Sequence, residues 1–152
     1  MHKILFISNK NNIGGWGFAA EAHLRALVRN YKVASPHINL GSGLRAIENL
    51  NTDESLDGCD ICIQQVLPPV GLPDKRFKKN IISYYSETDL LPDEWVYSIN
   101  RFDSAVVSCN YSKEASQRAG VTIPIDVVPI PLDTVKLSDK KLKENRPHQI
   151  RD

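Results

Sequence analysis

The amino-acid sequence predicts an α/β fold of Rossmann-like type: a mostly parallel sheet of about six strands with helices on both faces. Three observations point there. Lys3–Ser8 (KILFIS) is a continuous apolar run, the pattern of a central strand covered on both sides. Strand-like runs then alternate with helical patterns or long connections, which is what parallel strands require. The 152 residues are 41% hydrophobic and 24% charged, ordinary for a globular domain, and a chain of this length buries roughly two-thirds of its unfolded surface.

The elements follow in order. After Lys3–Ser8, residues 9–17 (NKNNIGGWG) read as a loop. Trp16, Ala20, Leu24, Leu27 and Val28 recur at helical spacing, giving a helix to about Arg29. Residues 31–38 form a second, weaker strand, with Pro36 near its end. Residues 44–50 suit a short helix, and 60–66 (DICIQQV) a third strand. A proline-bearing loop ends in the basic run Lys75–Lys79, and 80–85 (NIISYY) form the fourth strand. Pro92, Asp93 and Glu94 open a helix, because proline suits the first turn and acidic groups suit the positive end of the dipole. Its Trp95, Ile99 and Phe102 share one face, which makes Trp95 a core residue. Residues 103–109 form the fifth strand. Ser112 is expected to cap a helix over 113–119 that Gly120 ends. Residues 125–130 form the sixth strand. From 134 to 152 the chain is polar, without sustained periodicity, and reads as a linker or tail.

Several function classes drop out. A net charge of +1 gives no global reason for nucleic-acid binding. No run is long enough to span a bilayer, and the N-terminus lacks a signal-peptide pattern. The three cysteines, an odd number, argue against a disulfide framework and for a reducing, cytoplasmic setting. Cys59, Cys62 and Cys109 are expected as small core residues. The histidines share no metal-ligand spacing, so no metal is expected. His23 is expected to be a satisfied, partly buried helix residue, and His37 a weak candidate at a strand end.

In parallel sheets ligands bind beyond the carboxyl ends of the strands. Two segments stand there with suitable chemistry. Gly14, Gly15, Trp16 and Gly17 lie between the first strand and the first helix. Glycines allow positive φ and close ligand approach, and a helix start favours anions; a turn that simply needs glycine is the plainer reading. It is neither the dinucleotide fingerprint nor a Walker loop. Ser86-Glu87-Thr88-Asp89 puts two carboxylates at the same edge. They can accept hydrogen bonds from a polyhydroxylated substrate or act as a base, or they can brace the loop. The run Lys75–Lys79 is read mainly as solvated.

Together these segments resemble the N-terminal half of a GT-B glycosyltransferase, most like glycosyltransferase family four and its relatives. The resemblance is carried by Lys3–Ser8 with its glycine loop, by 82–95 (ISYYSETDLLPDEW), by 102–120 (FDSAVVSCNYSKEASQRAG) and by 123–133 (IPIDVVPIPLD). It covers about residues 3–133, and order and spacing carry it rather than any one motif. It implies a transferase that uses an activated sugar, usually a nucleotide sugar, as co-substrate, with no metal or other cofactor. Glu87 would be the catalytic residue at the cleft. Gly14, Gly15, Trp16, Gly17, Asp89, Asn110 and Ser112 would contact substrate. Pro131 departs from the glycine that many relatives carry.

The same resemblance implies a second, C-terminal domain that holds most of the donor. Only 19 residues follow Asp133, and a domain needs on the order of 100. The expectation is therefore an acceptor-side domain, inactive alone, whose partners are a sugar or glycan acceptor and a separate C-terminal domain or a second copy of itself. The other expectation is a stand-alone Rossmann-like module that binds a glycan or protein without catalysis.

Overall fold

A computed structural model describes residues 2–9, 14–36, 56 and 58–132. The expected helix over 44–50, His37, and the tail from 134 lie outside these residues. Six strands are described: β1 (Lys3–Ser8), β2 (Lys32–Ala34), β3 (Cys59–Gln65), β4 (Lys79–Ser83), β5 (Ser104–Val107) and β6 (Ile125–Val127). Three α-helices accompany them: α1 (Gly15–Leu27), α2 (Asp93–Ile99) and α3 (Asn110–Ala119). The strands form one open sheet in the order β2-β1-β3-β4-β5-β6, and every pairing is parallel. The fold is an α/β Rossmann-like arrangement.

Register explains the two faces. Leu5 pairs with Cys62, Cys62 with Asn80, Ile82 with Ala105, and Ala105 with Ile125. Side chains alternate along a strand, so Leu5, Ile7, Cys62, Gln64, Ile82, Ala105, Val107 and Ile125 share one face. That face packs under Val70, Leu72 and Phe77 of the β3–β4 connection, and under Leu91, Ile99, Phe102 and Val121 around α2 and α3. The opposite face carries Ile4, Phe6, Ser8 and Gln65. It is covered by α1, whose Ala19 and Ala20 are buried and whose His23 meets Gln65. Right-handed crossovers demand this split, because the chain leaves β1 in one direction and later advances in the other.

Polar anchors fix the loops. Gln64 is fully buried; its Nε2 donates to the Leu72 carbonyl at 2.7 Å and its Oε1 accepts from the Leu72 amide at 3.1 Å. The side chain thus replaces a strand partner for the returning connection. Buried Tyr84 donates its hydroxyl to Ser116 Oγ at 2.7 Å, and Ser116 donates to the Ser112 carbonyl at 2.6 Å. Asn100 ties the end of α2 to the end of α3: Nδ2 donates to the Gly120 carbonyl at 3.0 Å and Oδ1 accepts from the Thr122 amide at 2.8 Å. Gly120 adopts φ of 105°, the left-handed conformation expected of a helix-ending glycine.

Some boundaries move. β6 stops at Val127 rather than residue 130, since Pro129 has no amide to donate. β4 stops at Ser83, and β2 is three residues long. α3 begins at Asn110 with Cys109 as its N-cap, so Ser112 lies inside the first turn and is not the cap. Trp95 belongs to the core, edge-on to Tyr84 with centroids 6.4 Å apart.

Replacing Gln64 by leucine leaves the Leu72 amide and carbonyl without partners. We expect Gln64→Leu to lower stability by roughly 1–3 kcal/mol in urea denaturation. An unchanged midpoint would refute the anchoring role.

Candidate functional site

The strand order reverses between β1 and β3, since β2 lies on one side of β1 and β3 to β6 on the other. Crevices of open parallel sheets lie at the carboxyl ends of the strands flanking such a reversal. The start of α1 and the segment after β4 meet beside it. Trp16, in the first turn of α1, packs edge-on against Tyr85, with ring centroids 4.8 Å apart and planes at 77°. Tyr85 leads directly into Ser86 and Glu87, so this contact joins the glycine segment to the acidic one.

The glycines act differently from expectation. Among the described residues only Gly58 and Gly120 have positive φ. Gly14 is the N-cap of α1 with φ of −82°, and Gly17 is buried within the helix. What remains is access: a Cβ at Gly15 would meet nothing within 4 Å, so the helix start is bare toward the crevice.

The acidic loop is braced by groups other than its carboxylates. The Thr88 amide donates to Ser86 Oγ at 3.3 Å, the Ser86 and Thr88 hydroxyls lie 3.0 Å apart, and Thr88 Oγ1 donates to the Leu90 carbonyl at 2.9 Å. Arg118 of α3 donates to the Asp89 carbonyl at 3.3 Å. Among the described residues no hydrogen bond or ion pair engages the carboxylate of Glu87 or Asp89, and both side chains are exposed.

Asn110 is exposed at the start of α3. Ser112 is not: it is 3% exposed and its hydroxyl lies 3.3 Å from Cys109 Sγ. The structure gives Ser112 a bracing position one layer behind the edge. Pro131 and Leu132 do not stay at the β5–β6 end. They border a shallow groove of about 150 Å³ on the outer side of α1, with Phe18, Ala22, Arg25 and Arg29.

The cysteines divide. Cys59 and Cys62 are buried in β3, and burial pushes the Cys62 thiol up to about 12. Cys109 is exposed, a correction to its expected core position. Hydrogen bonds from the side chain and backbone of Ser112 hold its thiol below the ordinary range, as suits a cysteine at a helix start. The basic run lies before β4, at the opposite edge of the sheet. There Arg76 pairs with Asp74 at 2.6 Å and Lys78 with Asp60 at 2.7 Å.

His23 is only half satisfied. Its Nδ1 lies 3.1 Å from Gln65 Oε1, an acceptor, so Nδ1 carries the proton; Nε2 is buried without a partner. The sequence predicts His23 as a satisfied, partly buried helix residue and does not single out Gln65; the helix position and partial burial hold, but Nε2 lacks a partner. The pairing of His23 with Gln65 spans 42 positions, and only the docking of α1 on β3 brings them together.

Among the described residues no group of three or more His, Cys, Asp or Glu is placed to hold a metal, and no helix is long and apolar enough to cross a membrane. No family model matches the chain, and no curated protein matches it.

Two predictions arise here. Burial lowers the His23 pKa, and hydrogen bonds to Gln65 and Ala19 offset this only in part. An unfolded histidine titrates near about 6.5, so the unfolded chain takes up this proton first as pH falls. The stability is whole above about 6.5 and declines below it. His23→Gln should flatten that part of the plot of Tm against pH; an unaltered slope would contradict the assignment. Separately, a thiol reagent should label Cys109 in the native protein and reach Cys59 and Cys62 only on unfolding. Native labelling that survives Cys109→Ser would overturn this.

Proposed function

We propose that this chain is the acceptor-facing half of a GT-B type glycosyltransferase, which transfers a sugar from an activated, nucleotide-linked donor. One observation carries the reading. Glu87 and Asp89 stand uncommitted at the carboxyl edge of the sheet, on a loop that Ser86, Thr88 and Arg118 hold in place without them. A carboxylate on a rigid loop beside an open crevice is suited to accept a proton from, or hydrogen bonds of, a hydroxylated acceptor.

The roles divide as follows. Glu87 acts on the acceptor hydroxyl, and Asp89 and Asn110 hold neighbouring hydroxyls. The open space at Gly15 lets the reacting groups approach the start of α1, whose dipole favours the leaving diphosphate. Trp16 walls the crevice. The nucleotide sugar is held mainly by a second domain across the cleft, from a partner chain or a longer polypeptide. The described residues by themselves are therefore expected not to turn over donor. The reading fits a cytoplasmic location, since all three cysteines are free.

The test joins the chain to a donor-binding GT-B domain, by fusion or co-expression, and measures sugar transfer from nucleotide sugars. Glu87→Ala should lower the rate by about 100-fold or more. Gly15→Val, whose side chain enters open space in front of the helix, should block approach without unfolding the domain. Transfer unaffected by both changes would remove the site assignment. Sugar binding without any donor consumption would favour a non-catalytic glycan-binding module.

A further inference from the structure

Among the described residues, four buried side-chain polar atoms have no hydrogen-bond partner: Ser8 Oγ, His23 Nε2, Gln65 Nε2 and Tyr85 Oη. They are not scattered. Ser8 and Gln65 are register partners on β1 and β3, at the carboxyl ends that flank the reversal of strand order. Gln65 pairs in turn with Ser83 of β4, and Tyr85 follows two residues later on the same face. His23 reaches down from α1 onto Gln65 at 3.1 Å. Ser8, His23 and Gln65 thus sit together beneath α1 at the place where such sheets bind ligands, and Tyr85 lies beyond Ser83 on the same face, against Trp16. Ser8 and Gln65 are each only 1% exposed.

An unpaired buried polar group costs about 1–3 kcal/mol, and folded proteins rarely keep one without reason. Gln64 next door shows the contrast, with its whole amide spent on Leu72. The chemistry of the cluster is selective. Ser8, Gln65 and Tyr85 carry no charge, so the cluster offers hydrogen bonds rather than an ion pair. Two hydroxyls, one amide donor and one imidazole acceptor complement a group that both donates and accepts. Trp16 and Tyr85 supply aromatic surface at the rim, suited to the C–H face of a ring.

We propose that Ser8, His23, Gln65 and Tyr85 form a subsite for a neutral sugar ring, reached when Trp16 turns away from Tyr85. The choice of a sugar among neutral hydroxylated molecules rests on the proposed function; the existence of the subsite rests on the four unpartnered atoms.

The experiment uses the 152-residue chain and neutral monosaccharides: glucose, galactose, mannose and N-acetylglucosamine. The sequence has two tryptophans, Trp16 and Trp95, so the two indole N–H signals of a ¹H–¹⁵N spectrum are assigned with Trp16→Phe and Trp95→Phe. We expect at least one sugar to shift the Trp16 signal saturably. The shift should persist in Trp95→Phe and vanish in Gln65→Leu and Ser8→Ala. Ser8→Ala, which removes a hydroxyl without a partner, should leave the urea midpoint unchanged or raised, in contrast to Gln64→Leu.

Three results would each overturn the subsite: no sugar moves Trp16, the sugar-induced shift survives in both Gln65→Leu and Ser8→Ala, or Ser8→Ala destabilises the fold as a structural network would. The assay needs no donor and no second domain. Binding without Glu87-dependent transfer defeats the proposed function alone, and transfer without binding defeats the subsite alone.

Discussion

Leu5 and Ile7 of β1 stand in register with Cys62 and Gln64 of β3, and this parallel pairing decides where everything else can go. β2 occupies the other side of β1, so the chain must reverse direction across the sheet between its second and third strands. Right-handed crossovers then put α1 on one face and α2 and α3 on the other. The two faces bury different cores, and the reversal leaves a crevice that no crossover covers. Had β3 joined β2 instead, α1 would share its face with α2 and α3, and Gln65 would lie far from His23.

The neighbouring glutamines show how one strand serves structure and site together. Alternation sends Gln64 to the face under the β3–β4 connection, where the backbone of Leu72 uses its whole amide. It sends Gln65 to the face under α1, where only one of its polar atoms is engaged. The first is a fixed strut and the second is an unspent contact. The same division recurs on the Ser86–Asp89 loop. There the hydroxyls and a distant arginine supply rigidity, and the carboxylates are left to solvent.

Most of the architecture was legible because it depends on local pattern. The apolar run of β1, the helical spacing from Trp16, the acidic opening of α2 and the glycine after α3 each leave a short-range signature, and each element formed where that signature lies. Strand ends were less legible. Tyr84 and Tyr85 extend the apolar pattern of β4, but their side chains belong to Ser116 and Trp16, and the ladder stops at Ser83. Cys109 follows a buried strand and was expected inside; the start of α3 turns it out. At the candidate site, the glycines' role moved from positive φ to open space at the helix start. The polar cluster was invisible in advance, because Ser8, His23, Gln65 and Tyr85 come from four segments and meet only after the sheet is assembled.

The lateral borders of the sheet carry a consequence for how this domain meets other molecules. β2 and β6 are each three residues long, and prolines follow both at Pro36 and Pro129. A border so short and so punctuated offers an incoming strand almost no ladder to extend. Growth of the sheet by adding strands, whether from a second copy or from an unfolded neighbour, is thereby discouraged at both margins. Among the described residues, the broader surfaces are the strand ends and the helical faces, where a neighbour would cap or stack on the sheet rather than lengthen it.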